Sequence, residues 1–385
     1  MSAFEELEQT FRSAGADAVF DLLTRNARAF KNYRELFSAR LMQVRHQLGL
    51  PLVETEPVTQ LTESQRPIYE KAAQDAARET GELFLADGDI GAAWPYFRAI
   101  GENAPVAGAI EKFEGGEHLD RVIEIAFQEG VHPRKGFDLL LQHHGICRAI
   151  TWFGSLRDFD VRQQCLRVLI RTLYNELAAS LKQTVTANEG AEPVTSRVAE
   201  LIAGRDWLFE GNSYYVDSSH VISLLRYTPE LEDTESLRMA LEMAEYGQKL
   251  APMFHFRGDP PFDDPYIDHA VYLRALLGEN VEAAIAHFHG KACTAEESGD
   301  PTPAEVLIDL LVRLDRNQEA IRASLEFFPD SSRAPSGCPS VLQLCQLAED
   351  FGQLQNLARE RGDILSFAAG VVQETDSRTV RSRAG

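Results

Sequence analysis

The chain lacks most of the features by which a sequence declares its activity. No apolar run approaches the ~20 residues needed to span a bilayer, and the mean hydropathy is −0.24, so a soluble protein without a membrane partner is expected. The five cysteines (Cys147, Cys165, Cys293, Cys338 and Cys345) form no CxxC pair and are odd in number. That argues against a disulfide framework or a zinc knuckle and fits free thiols in a reducing cytoplasm. There is no GxxxxGK followed by Ser or Thr, no GxSxG elbow, no HExxH, and no glycine-rich dinucleotide fingerprint behind a strand. The familiar phosphate-binding, hydrolase and metalloprotease signatures are thus all missing.

Positive charge is also scarce. Lys and Arg number 38 against 59 Asp and Glu, a net charge of −21, with the acid excess spread along the chain. Such a field repels phosphate backbones and anionic lipid, so no nucleic-acid partner is expected. The opening stretch MSAFEELEQTF lacks the basic start and apolar segment of a secretory signal, and a cytoplasmic location is the expectation.

What the sequence does contain is helix after helix. At 385 residues, 44% of them apolar, two units or one extended array are expected. Ser2 with Glu5 three residues on reads as a capping box, and apolar residues at spacings of three and four continue to about residue 48. Residues 50–67 carry three prolines and no helical period. Beyond Pro67, helical segments follow one another, among them a long one from Asp160 to about Val185. The run Thr184 to Ser196 reads as a loop. Tyr214, Tyr215 and Val216 form a short extended piece without an evident partner. The expected fold class is all-α. The expected organisation is an N-terminal helical segment (1–48), a linker (49–66), an irregular helical-repeat core (67–292), C-terminal repeats (302–373) and a disordered tail (374–385).

A repeat signal appears in the last third. Leu277-Gly278-Glu279 precedes NVEAAIAHF, Leu314-Asp315-Arg316 precedes NQEAIRASLEFFP, and Asp350-Phe351-Gly352 precedes QLQNLARERG; the starts lie 37 and 36 residues apart. Gly88-Asp89 before IGAAWPYF is a more distant copy. Alanines at 283, 284, 320 and 323 would let paired helices approach closely, and each hairpin would need its neighbour to cover its apolar face. With Glu319, Ala320 and Ile321 after a small-residue turn and a closing Pro329, residues 270–373 resemble the tetratricopeptide repeat. The resemblance implies antiparallel helical hairpins stacked in a superhelical array, whose usual task is to bind a protein or peptide.

Histidines and aspartates at helix ends supply the remaining candidate chemistry. His143 and His144 end one helix before Gly145. Asp217 to His220 starts another. Asp263, Asp264, Pro265, Tyr266, Ile267, Asp268 and His269 start a third, with Asp264 as cap, Pro265 at the first helical position and His269 sharing a face with Tyr272. If these ends converged, His144, Asp217, His220 and His269 would suit a divalent transition metal such as zinc or iron, with His143, Tyr215, Arg257, Asp264 and Tyr272 lining the pocket. Each residue also has a plainer role: a histidine in a last turn complements the helix dipole, an aspartate caps, and Arg257 pairs with Asp259 or Asp263. His287 and His289 lie off the apolar face of their helix and read as solvated. Two functions follow: a protein- or peptide-binding scaffold, or an enzyme, metal-dependent in one version, with a His/Asp site in the 140–270 region.

Overall fold

The computed structural model describes residues 2–53, 61–296, 299–329 and 337–384; for residue 296 and residues 376–384 it describes the backbone. The fold is all-α, with no strand among the described residues. Among the described residues, no helix is long and apolar enough to cross a membrane. The chain divides into two compact units, Met1–Ala149 and Ile150–Gly385.

The first unit contains α1 (Ala3–Ala29), α2 (Tyr33–Gln47), α3 (Arg66–Ala86), α4 (Ile90–Ile100), α5 (Ala104–Glu111), α6 (Leu119–Ile123), and the start of α7 (Pro133–Phe153). The Ser2–Glu5 capping box is present. Helices α1 to α4 pack in sequence order. Asp87, at the end of α3, accepts from Lys31 and from the Tyr33 hydroxyl, each at 2.8 Å. Residues 54–60, the middle of the expected linker, lie outside the described residues. Gly145 interrupts α7 at φ 78°, the left-handed region that glycine reaches without Cβ strain.

The second unit opens with α8 (Phe159–Glu189), whose buried stripe includes Cys165, Leu169, Leu173, Leu177, Leu181 and Val185. It continues with α9 (Val198–Ile202), α10 (Ser218–Leu225) and α11 (Thr234–Lys249). The expected loop at 184–196 is corrected: α8 runs to Glu189 and stops at Gly190. The Thr184 and Thr186 hydroxyls bond back to Ser180 O (3.0 Å) and Lys182 O (2.7 Å), so threonines that read as loop are satisfied within the helix. Glu242, buried in α11, ties α8 and α9 to it. Its carboxylate accepts from Tyr174 Oη (2.6 Å), Arg197 Nη2 (2.6 Å) and Ala199 N (3.2 Å).

The remaining helices are α12 (Pro265–Leu276), α13 (Val281–Glu296), α14 (Thr302–Arg313), α15 (Asn317–Phe327), α16 (Val341–Leu347), α17 (Phe351–Glu360) and α18 (Ile364–Ala384). Each packs on its successor, and α12 also touches α14. Residues 374–384, expected as tail, form the last turns of α18. Ala284, Ala320 and Ala323 are buried as expected, whereas Ala283 is exposed. The turns after α3, α12, α14, α16 and α17 share one construction. A residue with positive φ (Gly88, Gly278, Asp315, Glu349, Gly362) is followed by an N–H that reaches back five residues. Those bonds are Asp89 to Phe84, Glu279 to Arg274, Arg316 to Leu311, Asp350 to Cys345 and Asp363 to Ala358. This is the Schellman closure, which satisfies carbonyls at the helix end.

Helices α11 and α12 approach closely at Gly247, where a Cβ would run into the ring of Tyr266, itself fully buried. Alanine is the better helix former by about 1 kcal/mol, but forcing a fixed aromatic ring aside costs about 1–3 kcal/mol. Gly247→Ala is therefore expected to lower the urea midpoint despite its propensity gain; a raised midpoint would show that Tyr266 yields freely.

Candidate functional site

The acidic start of α12 forms a charge network with one face of α13. Asp264 caps α12, accepting from Tyr266 N (3.1 Å) and Ile267 N (3.0 Å), with Pro265 in the first turn. One turn on, the Asp268 side chain is 3% exposed. A carboxylate so far from water must be matched by donors, and three converge on it. His287 Nε2 donates to Oδ1 at 2.8 Å; Lys291 Nζ and the Asp264 N–H donate to Oδ2, each at 2.9 Å. Lys291 also reaches Asp263 Oδ2 at 2.8 Å. The Lys291 ammonium holds the Asp263 carboxyl below its usual range. Burial works against charge on Lys291, yet the two aspartates raise it above the ordinary lysine value.

His269 is buried against this network. It is 1% exposed, its Nδ1–H donates to Pro265 O at 2.7 Å, and its ring stacks on Phe262 with centroids 4.1 Å apart. That bond leaves the lone pair on Nε2, which is buried without a hydrogen-bond partner. Burial pushes the imidazole down to about 4, against an opposing pull from the Pro265 bond and Asp268 and with some help from Arg226. His269 is thus a neutral group, packed as a flat ring and fixed in one tautomer.

The other expected site residues have local roles. His144, in the first unit, lies with Nε2 2.8 Å from Asp120 Oδ1 and Nδ1 3.1 Å from Arg148 Nη1; His143 Nε2 lies 3.1 Å from Glu114 O. Asp217 caps α10, accepting from the N–H and hydroxyl of Ser219 (2.8 and 2.7 Å), bonds that hold its carboxyl below the usual range. His220 is half-buried in the first turn of α10. The Tyr215 hydroxyl donates to Leu208 O at 2.7 Å, and its N–H donates to Tyr246 Oη at 2.9 Å, which anchors the piece expected to be extended. Tyr272 is fully buried and donates to Asp309 Oδ2 at 3.1 Å. Arg257 is exposed. The partners expected for it are taken otherwise: Asp263 by Lys291, and Asp259 by Arg226 at 4.0 Å.

Two histidines read as solvated are instead engaged. Helix α13 carries two pairs at i, i+4, namely His287 with Lys291 and His289 with Cys293. The pairs are offset by two residues, about 200° around the helix, so they face different neighbours. His287 and Lys291 meet Asp268 of α12. His289 meets Glu326 of α15, with Nε2 3.2 Å from Oε1, and the Cys293 Sγ lies 3.5 Å from His289 Nδ1. Among the described residues, a group of potential metal-ligand atoms lying within 4.8 Å of one another is His289, Cys293 and Glu326. The i, i+4 spacing in α13 was the signal that could have located it.

Compared with protein-family models, curated proteins and solved structures, the chain has no match in any of the three, so the site is read from its own geometry. For His269, the lowered folded value means that the unfolded chain takes up a proton first as pH falls. Its contribution is complete above about pH 6.5 and is lost toward pH 4, by about 3 kcal/mol at most. Urea unfolding of wild type and His269→Phe across that window should show the steeper acid loss in wild type; parallel profiles would contradict a buried neutral imidazole.

Proposed function

We propose that the second unit is a helical-repeat scaffold that binds a basic peptide segment of a protein partner. The observation that carries this reading is a matched pair of contacts at one sequence separation. Tyr272 of α12 bonds Asp309 of α14, and His289 of α13 bonds Glu326 of α15, and both pairs are 37 residues apart. That is the spacing of the Leu277 and Leu314 turns in the sequence. Residues one period apart face each other in both members of successive hairpins, as stacking by a constant step requires. The shared Schellman closures support the same reading.

Stacked hairpins leave clefts between successive turns, and one of about 440 Å³ lies between the α14–α15 and α16–α17 turns. Leu347 stands there 51% exposed. Around it are Asp315, Glu319 and Glu349. Arg316, the cation among the described lining residues, is committed to Glu282 at 2.7 Å and to Glu319. An apolar contact ringed by acids favours a segment that carries Lys or Arg beside an apolar residue, and the net charge of −21 would hasten its encounter.

Selection of random peptides on the full-length protein tests this. Enriched sequences should combine Lys or Arg with an apolar residue, and Asp315→Lys with Glu349→Lys should weaken them by about tenfold. Enrichment of acidic peptides, or affinities indifferent to the two reversals, would sink the proposal.

A further inference from the structure

We propose that His289 and Cys293 of α13 and Glu326 of α15 form a zinc site joining two helices. This goes beyond the scaffold reading and does not depend on it. Tetrahedral zinc, with Zn–S near 2.3 Å and Zn–N and Zn–O near 2.1 Å, sets sulfur and nitrogen about 3.6 Å apart and nitrogen and oxygen about 3.4 Å apart. The observed separations are 3.5 Å for Cys293 Sγ to His289 Nδ1 and 3.2 Å for His289 Nε2 to Glu326 Oε1. The two contacts use opposite ring nitrogens. Cys293 and Glu326 are both exposed, and one ligand atom from each of the three side chains lies within 4.8 Å of the others, so binding requires the thiol and the carboxylate to close on a single ring nitrogen.

The imidazole is already held. Phe327 meets it edge-on at 5.5 Å, and the i, i+4 spacing places Cys293 one turn along the same face. Thiolate, imidazole and carboxylate together suit zinc better than magnesium or calcium, which prefer oxygen alone. Three protein ligands leave the fourth position to water. On binding, the Sγ–H proton passes to solvent as the S–Zn bond forms, and no group changes oxidation state. Because the ligands lie on different helices, the ion would clamp α13 to α15 and stabilise the folded state by mass action.

The test uses cobalt(II) as a spectroscopic probe for zinc, added to the full-length protein under a phosphine reductant. The expected result is a thiolate-to-cobalt charge-transfer band that saturates at one equivalent and is displaced by zinc. Cys293→Ser and His289→Ala should abolish it, and Glu326→Gln should weaken cobalt binding by about tenfold or more. Cys147→Ser, which removes an exposed thiol of the first unit, should leave the band intact. Metal-free melting curves check that the variants fold, with Cys293→Ala as a second substitution at the same exposed position. Zinc should raise the melting midpoint of wild type and not that of Cys293→Ser. Absence of the band, or its survival in Cys293→Ser, would leave His289 and Glu326 as a surface ion pair and overturn the proposal.

Discussion

The buried carboxylate of Asp268 is the constraint around which the second unit is arranged. An ionised group with a 3% exposed side chain costs several kcal/mol to remove from water unless its lone pairs are filled. Three donors fill them, and they come from two places: the backbone at the entry to α12 and the side chains of α13. Lys291 then holds Asp263 as well. The entry loop, α12 and α13 are therefore fixed to one another by charge as well as by apolar contact. Such a pair adds little net stability over a well-packed apolar substitute, but it penalises any arrangement that leaves one partner alone.

From that hairpin, contacts run in both directions along the chain. Toward the N-terminus, Tyr266 lies against Gly247 of α11, and Arg274 pairs with Glu245 at 2.6 Å. Toward the C-terminus, Tyr272 reaches Asp309 and His289 reaches Glu326. Arg313 of α14 donates back to the carbonyls of Pro229 and Leu231. Apolar packing supplies the bulk of the interface, with Phe288, Leu307, Leu311 and Ile321 in one buried cluster. The polar contacts are fewer and set which residues face each other.

The features legible in the sequence were those decided locally. The caps at Ser2, Asp217 and Asp264 need only a side-chain oxygen and the next turn, and all three are in place. The break at Gly145 and the long helical segment beginning near Asp160 likewise depend on neighbours three and four residues away. The end of α8 was misjudged because threonine hydroxyls can satisfy a helix as well as a turn. His287 and His289 lie off the apolar face of α13 yet are engaged by carboxylates, so leaving that one face does not place a residue in solvent. A helix packed between neighbours has more than one contact face, and on α13 two of them are polar. Which carboxylate each would meet depends on residues 19 and 37 positions away, and no local pattern carries that information.

The claim that Asp268 organises this region is tested most directly by amide hydrogen exchange in wild type and Asp268→Asn. The substitution keeps the shape and removes the charge that Lys291 requires. Exchange should accelerate by about tenfold or more across the 258–276 and 281–294 segments together, while α8, held to α11 through Glu242, keeps its protection. Unchanged protection around α12 and α13, or an equal loss throughout the second unit, would contradict the account.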